Sequence, residues 1–140
     1  MTLDRATLPK RIAESLRSFF GKHELAIDIS NAAWVLRDGA VLASLVVADS
    51  YGKRAKGLLG RASYEGAMLI TGTSSIHTLG MKMTIDVAFI GVDGQVCSTI
   101  EGVKPWRITR RRRGACAVLE AEAGSFQRWE LAKGNQLEFK

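Results

Sequence analysis

A chain of 140 residues, 46% hydrophobic and with only two prolines, is long enough for one domain with its own core and too apolar to stay disordered. No run approaches the roughly 18 uncharged apolar residues of a membrane helix, and the N-terminus lacks the apolar centre of a secretory signal, so a cytoplasmic protein is expected. The net charge of +6 is concentrated: Lys104, Arg107, Arg110, Arg111, Arg112 and Arg113 fall within ten residues that hold no acid, and elsewhere 14 cations balance 14 anions. This is a neutral domain carrying one basic loop.

Residues 1–24 read as an amphipathic helical extension and 25–140 as a single β-rich domain. Leu8, Ile12, Leu16 and Phe19 or Phe20 recur at helical spacing, with Lys10, Arg11, Glu14 and Arg17 between them, and Gly21 is a natural stop. The apolar stripe of that helix suits packing on the domain, a protein partner or an anionic membrane surface. From Leu25 the period changes to two, giving strands over 25–29, 32–36 and 41–47, the last two joined at Arg37-Asp38-Gly39 by a hairpin signal. Asp49 or Ser50 can cap a helix over about 51–59 that Gly60 ends.

The next segment, 77–90, alternates as a strand with His77, Leu79, Met81, Met83, Ile85, Val87 and Phe89 on one face and Thr78, Lys82, Thr84 and Asp86 on the other. Gly80 marks a bulge that can flip this register. Val92-Asp93-Gly94 turns the chain into a strand over 95–100. Beyond the basic loop, 115–123 alternates again, 125–131 is helical and 136–139 is a last strand. The sum is a mainly β, α+β domain. It is a single antiparallel, curled or barrel-like sheet of about seven or eight strands with two or three short peripheral helices. Cys97 and Cys116 have neither a CxxC partner nor the density of a disulfide scaffold, so both are expected reduced and at least half-buried.

Several short patterns occur together: Gly57-Leu58-Leu59-Gly60-Arg61, then His77 and Met81, Ile85 with Asp86, Asp93-Gly94, Pro105-Trp106-Arg107, and Leu119-Glu120 followed by Gly124. In these the chain resembles the domain of unknown function 192 family over about residues 40 to 139. The resemblance implies a mostly β fold and no established activity. It stops short of the four-arginine run, has Gly60 where many members carry a bulky residue before the arginine, and has His77 and Met81 where others have a Trp-Met pair.

Three functional classes emerge. In the first, Arg61, His77, Met81, Asp86, Trp106, Arg107 and Glu120 form a non-enzymatic site for a small anionic or aromatic ligand. There the cations fix the anion and the indole stacks on a planar group. A carboxylate such as Glu120, set among Val118 and Leu119, needs a cation, for which Arg61 and Arg107 are the candidates. In the second, Lys104, Arg110, Arg111, Arg112 and Arg113 around Trp106 bind nucleic acid or another polyanion. In the third, His77 acts with Asp86 or Glu120 in a hydrolase or isomerase, although nine residues of regular strand hold His77 and Asp86 about 30 Å apart. No phosphate loop, dinucleotide fingerprint or HExxH is present, so no cofactor is implied. His77 with Met81 and Met83 suits copper(I) on paper, but methionines at alternating strand positions are usually core, and no metal is assigned.

Overall fold

The structure, a computed structural model, describes residues 24–49, 58 and 60–140. Seven strands form one sheet: β1 (Trp34–Arg37), β2 (Ala40–Ala48), β3 (Ala67–Thr71), β4 (Ile85–Gly91), β5 (Val96–Val103), β6 (Ala115–Glu122) and β7 (Leu137–Phe139), with helix α1 (Ser125–Trp129) between β6 and β7. Their order is β5-β4-β6-β3-β2-β1-β7. The mainly β class agrees with the sequence, but the expectation of an antiparallel sheet needs correction. β2 and β3 run parallel, and a parallel pair requires a crossover, which residues 49–66 supply. Nor is the sheet a closed barrel. Its edges meet only at one end, where Val96 N–H donates to Asn135 O at 2.9 Å and Gly134 N–H to Val96 O at 2.8 Å.

The β1–β2 hairpin forms as the Asp-Gly signal requires: Asp38 (φ 51°) and Gly39 (φ 78°) both take left-handed conformations that match the twist of the flanking strands. The expected strand over 25–29 is absent. Leu25, Ile27 and Ile29 are half-buried between exposed residues, Leu25 and Ile29 against the core, and Ala26 N–H donates to Val92 O at 2.8 Å, but Ser30 N–H and Oγ bind Asp28 Oδ1 and turn the chain before a strand is established. The long strand expected over 77–90 begins only at Ile85, because residues 79–80 turn at Gly80 (φ 78°) and Met81 N–H closes on Thr78 O at 3.2 Å. β3 has no counterpart among the predicted elements. The expected helix over 1–22 lies outside the described residues, as does that over 51–59 apart from Leu58, which is helical and buried.

Two cores result. The first fills the concave side with Val35, Leu45, Leu69, Ile90, Leu119 and Leu137, closed at one end by Phe126 and Leu131. The second lies on the other face of β3, β4 and β6, where Met68, Ile70, Val87, Phe89 and Val118 are covered by Ile76, Met81 and Met83 from the 72–84 connection and by Leu58. The 72–84 connection that leaves β3, together with Leu58, therefore serves as the lid of the second core.

Asp86 joins these layers. It is 1% exposed and alternates with Ile85 and Val87 of the second core, so its carboxylate points to the concave side. There Oδ1 accepts Gly102 N–H at 2.9 Å, and Oδ2 accepts Gly124 N–H at 3.0 Å and Phe126 N–H at 3.1 Å. Gly124 is the N-cap of α1 and has no side chain to cap it. A strand carboxylate thus does what a capping side chain ordinarily does. Asp86→Asn turns at least one amide donor toward these backbone donors and should destabilise the protein by about 2–4 kcal/mol in urea unfolding. An unchanged midpoint would contradict the role.

Candidate functional site

The basic segment is a built ridge. Residues 74–79 and 104–112 run antiparallel over the second core, with His77 and Ile108 as a bridge pair. Thr78 N–H donates to Arg107 O at 2.8 Å, Thr109 N–H to Ile76 O at 2.9 Å and Arg112 N–H to Ser74 O at 2.9 Å. The first two bonds flank His77 and Ile108 as in a non-hydrogen-bonded antiparallel pair, the kind that holds side chains closest. Alternation sends Ile76 and Thr78 inward, where both are buried, and leaves Leu79, Trp106 and Ile108 exposed by 42%, 66% and 74%.

Thr78 staples the turn at Lys104-Pro105-Trp106-Arg107. Its Oγ1 donates to Lys104 O at 2.7 Å and accepts Arg107 N–H at 2.9 Å, while its carbonyl accepts Trp106 N–H at 3.0 Å. Trp106 pays for this with a left-handed backbone, φ 64°, a conformation that costs a non-glycine residue about 1 kcal/mol or more. The indole is held out on a constrained turn and not on a loose loop.

Among the six cations, the structure separates one from five. Lys104, Arg107, Arg110, Arg111 and Arg113 are exposed, and none forms an ion pair among the described residues. Arg112 turns inward, its guanidinium 5.2 Å from the Phe89 ring centroid, with Nε buried and without a hydrogen-bond partner. It anchors the ridge to the core and is spent as a phosphate ligand.

The other predicted site residues are dispersed. His77, Trp106 and Arg107 adjoin on the ridge; His77 is half-buried, and its Nδ1 accepts Leu79 N–H at 3.3 Å. Arg61 is exposed beside Tyr64, whose phenol is pushed up by burial and partly drawn back by Arg61. Met81 is buried in the second core beneath the ridge. Asp86 faces the opposite side of the sheet from His77 and is occupied by three amides, so the two form no acid–base pair. Glu120 is 1% exposed on β6, in register with Met68 and Val87. Burial, with Cys97 and Asp93 nearby, pushes the Cys116 thiol up to about 11, and burial with Asp93 raises Cys97. Both free thiols are therefore protonated and weakly nucleophilic near neutrality. Thr78 is the residue that sequence reasoning missed; the signal was a threonine flanked by apolar and aromatic residues, which reads equally well as a strand's outer face.

Three substitutions separate these roles. Thr78→Val keeps the shape of a buried side chain but removes the hydroxyl that joins the Lys104 carbonyl to the Arg107 amide, and should cost about 1–2 kcal/mol in thermal or urea unfolding. Arg112→Met exchanges a cation–π contact for relief of an unpaired buried donor and should change stability by less than about 1 kcal/mol, whereas Phe89→Ala should cost about 3–5 kcal/mol. A large loss in Arg112→Met would show that the guanidinium has a stronger partner than the ring.

Comparison with known proteins agrees with this fold. A crystal structure from Novosphingobium aromaticivorans, of a protein of unknown function, superposes with a TM-score of 0.65 at 20% identity, covering 82% of this chain and 91% of that one. A Sinorhizobium meliloti protein, described as a candidate transcription regulator, superposes with a TM-score of 0.62 at 25% identity, covering 69% and 81%. Among curated proteins, no sequence matches the chain significantly. The model of the domain of unknown function 192 family, described as uncharacterized ACR, matches residues 33–139. That span takes in all seven strands, the 72–84 connection and the ridge, and the chain is accordingly a member of the domain of unknown function 192 family.

Proposed function

We propose that the protein is a non-enzymatic binding module that engages a phosphate-rich partner through the ridge 74–79/104–113. One observation carries this reading: five exposed cations, none ion-paired among the described residues, lie along the same ribbon as an exposed Trp106, on a backbone clamped to the body of the domain. Binding to such a surface requires little ordering of the protein, so most of the electrostatic gain is retained. An extended anion suits it better than a small one in a deep pocket, because the exposed cations are spread along the segment 104–113 while Asp86 and Met81 are buried and Arg61 is on another segment. The description of the Sinorhizobium meliloti neighbour as a candidate transcription regulator concerns that protein; it makes an oligonucleotide the natural first probe here.

A second reading rests on the adjacency of His77, Trp106 and Arg107: a small planar anion resting on the indole with its charge on Arg107. Two-dimensional NMR of the labelled protein distinguishes the two. With a short single-stranded oligonucleotide at two salt concentrations, shifts should centre on 104–113, and engagement of about five phosphates gives a slope of log affinity against log salt of about −3.5. The triple variant Arg110→Ser, Arg111→Ser, Arg113→Ser should abolish most of that response. Shifts produced by small anionic metabolites alone, centred on His77 and Trp106, would favour the second reading; an oligonucleotide response unchanged in the triple variant would remove the first.

A further inference from the structure

We propose that the phosphate-rich partner is an anionic lipid surface, which the ridge meets with Leu79, Trp106 and Ile108 inserted shallowly and its cations on the headgroups. This rests on the reading of the ridge as an anion-binding surface and adds what that reading leaves unused. Phosphate recognition accounts for Lys104, Arg107, Arg110, Arg111 and Arg113, but not for the exposed aliphatic side chains between them. Ile108 at 74% is the most exposed large apolar group among the described residues, and together with Trp106 at 66% and Leu79 at 42% it lies on the outward face of one two-stranded ribbon. A nucleic acid offers Trp106 a base to stack on, yet offers Ile108 and Leu79 only sugar and phosphate. A bilayer interface offers each group a matching layer: acyl chains for Ile108 and Leu79, the headgroup boundary for an indole, and phosphates for flanking Lys and Arg, whose stems reach along the apolar surface.

The geometry suits this layering. The strained turn at Trp106 and the inward anchor at Arg112 fix the ribbon's height above the second core, so the apolar tip is presented without prior rearrangement. A second copy of the chain is a poor occupant of the same face, because two such ridges would bring five cations against five.

The test is sedimentation of the full chain with vesicles of phosphatidylcholine alone or mixed with phosphatidylserine, beside oligonucleotide binding measured on the same preparations. The wild type should bind the mixed vesicles and not the neutral ones. The double variant Leu79→Ser, Ile108→Ser should bind mixed vesicles about tenfold or more weakly while its oligonucleotide affinity is unchanged. The triple arginine variant should lose both, at about fivefold per arginine for the vesicles. Thermal unfolding verifies that each variant is folded, which these exposed positions allow. Equal binding to neutral and mixed vesicles, or vesicle binding unaffected by the double variant, overturns the lipid assignment. Oligonucleotide binding without vesicle binding also overturns it and leaves the anion-binding ridge standing. Failure of the wild type to bind either ligand overturns both.

Discussion

The carboxylate of Asp86 is the constraint on which the arrangement depends. A buried anion is tolerated only when its lone pairs are filled, and here they are filled by backbone amides drawn from two places: Gly102 near the end of β5, and Gly124 with Phe126 at the start of α1. The first bond fixes the point from which the chain leaves the sheet toward Lys104. The other two hold α1 where Phe126 closes the concave core. No side chain near the helix performs this task, since its N-cap is glycine. One residue on β4, next to the edge strand β5, thereby sets both the end of the core and the root of the ridge, and this argues for a structural reading of an acid that its sequence position makes look catalytic.

The ridge shows a division of labour that charge counting hides. Arg110, Arg111 and Arg113 face solvent, whereas Arg112 lies over Phe89 in the second core. An exposed arginine gives a partner charge; an inward one gives the loop a fixed position. Thr78 completes the restraint from the other strand by satisfying the polar groups of the turn that carries Trp106. The left-handed conformation at Trp106 persists because these bonds over-determine it. Strain of this kind, located where the surface is both apolar and cationic, fits a site prepared for a partner better than it fits an arbitrary surface loop.

Much of the fold was legible because hairpin chemistry is local. Asp38-Gly39 and Asp93-Gly94 announce their turns, and the strands beside them follow within a residue or three. What failed was non-local. Ala67–Thr71 is nearly all buried and shows no alternation, because a strand covered on both faces has no polar side to reveal its period. Its parallel pairing with β2 depends on a crossover that no dipeptide encodes. Conversely, Leu25 to Ile29 has the alternation of a strand and packs like one, yet Asp28 and Ser30 give its backbone a local alternative. For the site, Lys104 to Arg113 could be read as a basic loop directly. Its partition into five outward cations and one inward required knowing that Phe89 lies beneath it.

The placement of the ridge also explains why a deep pocket and an exposed surface are competing outcomes for these residues. The connection 72–84 must pass from one side of β6 to the other, and in doing so it covers the hydrophobic face of β3, β4 and β6. Ile76, Met81 and Met83 pack between that connection and the sheet as part of the second core. Packing the second core to this extent drives the polar and cationic residues of both covering segments outward. The same methionines that suggest a soft metal site on paper are packed among the apolar side chains of this core, and Trp106, Arg107 and Ile108 carry their chemistry on its exposed side.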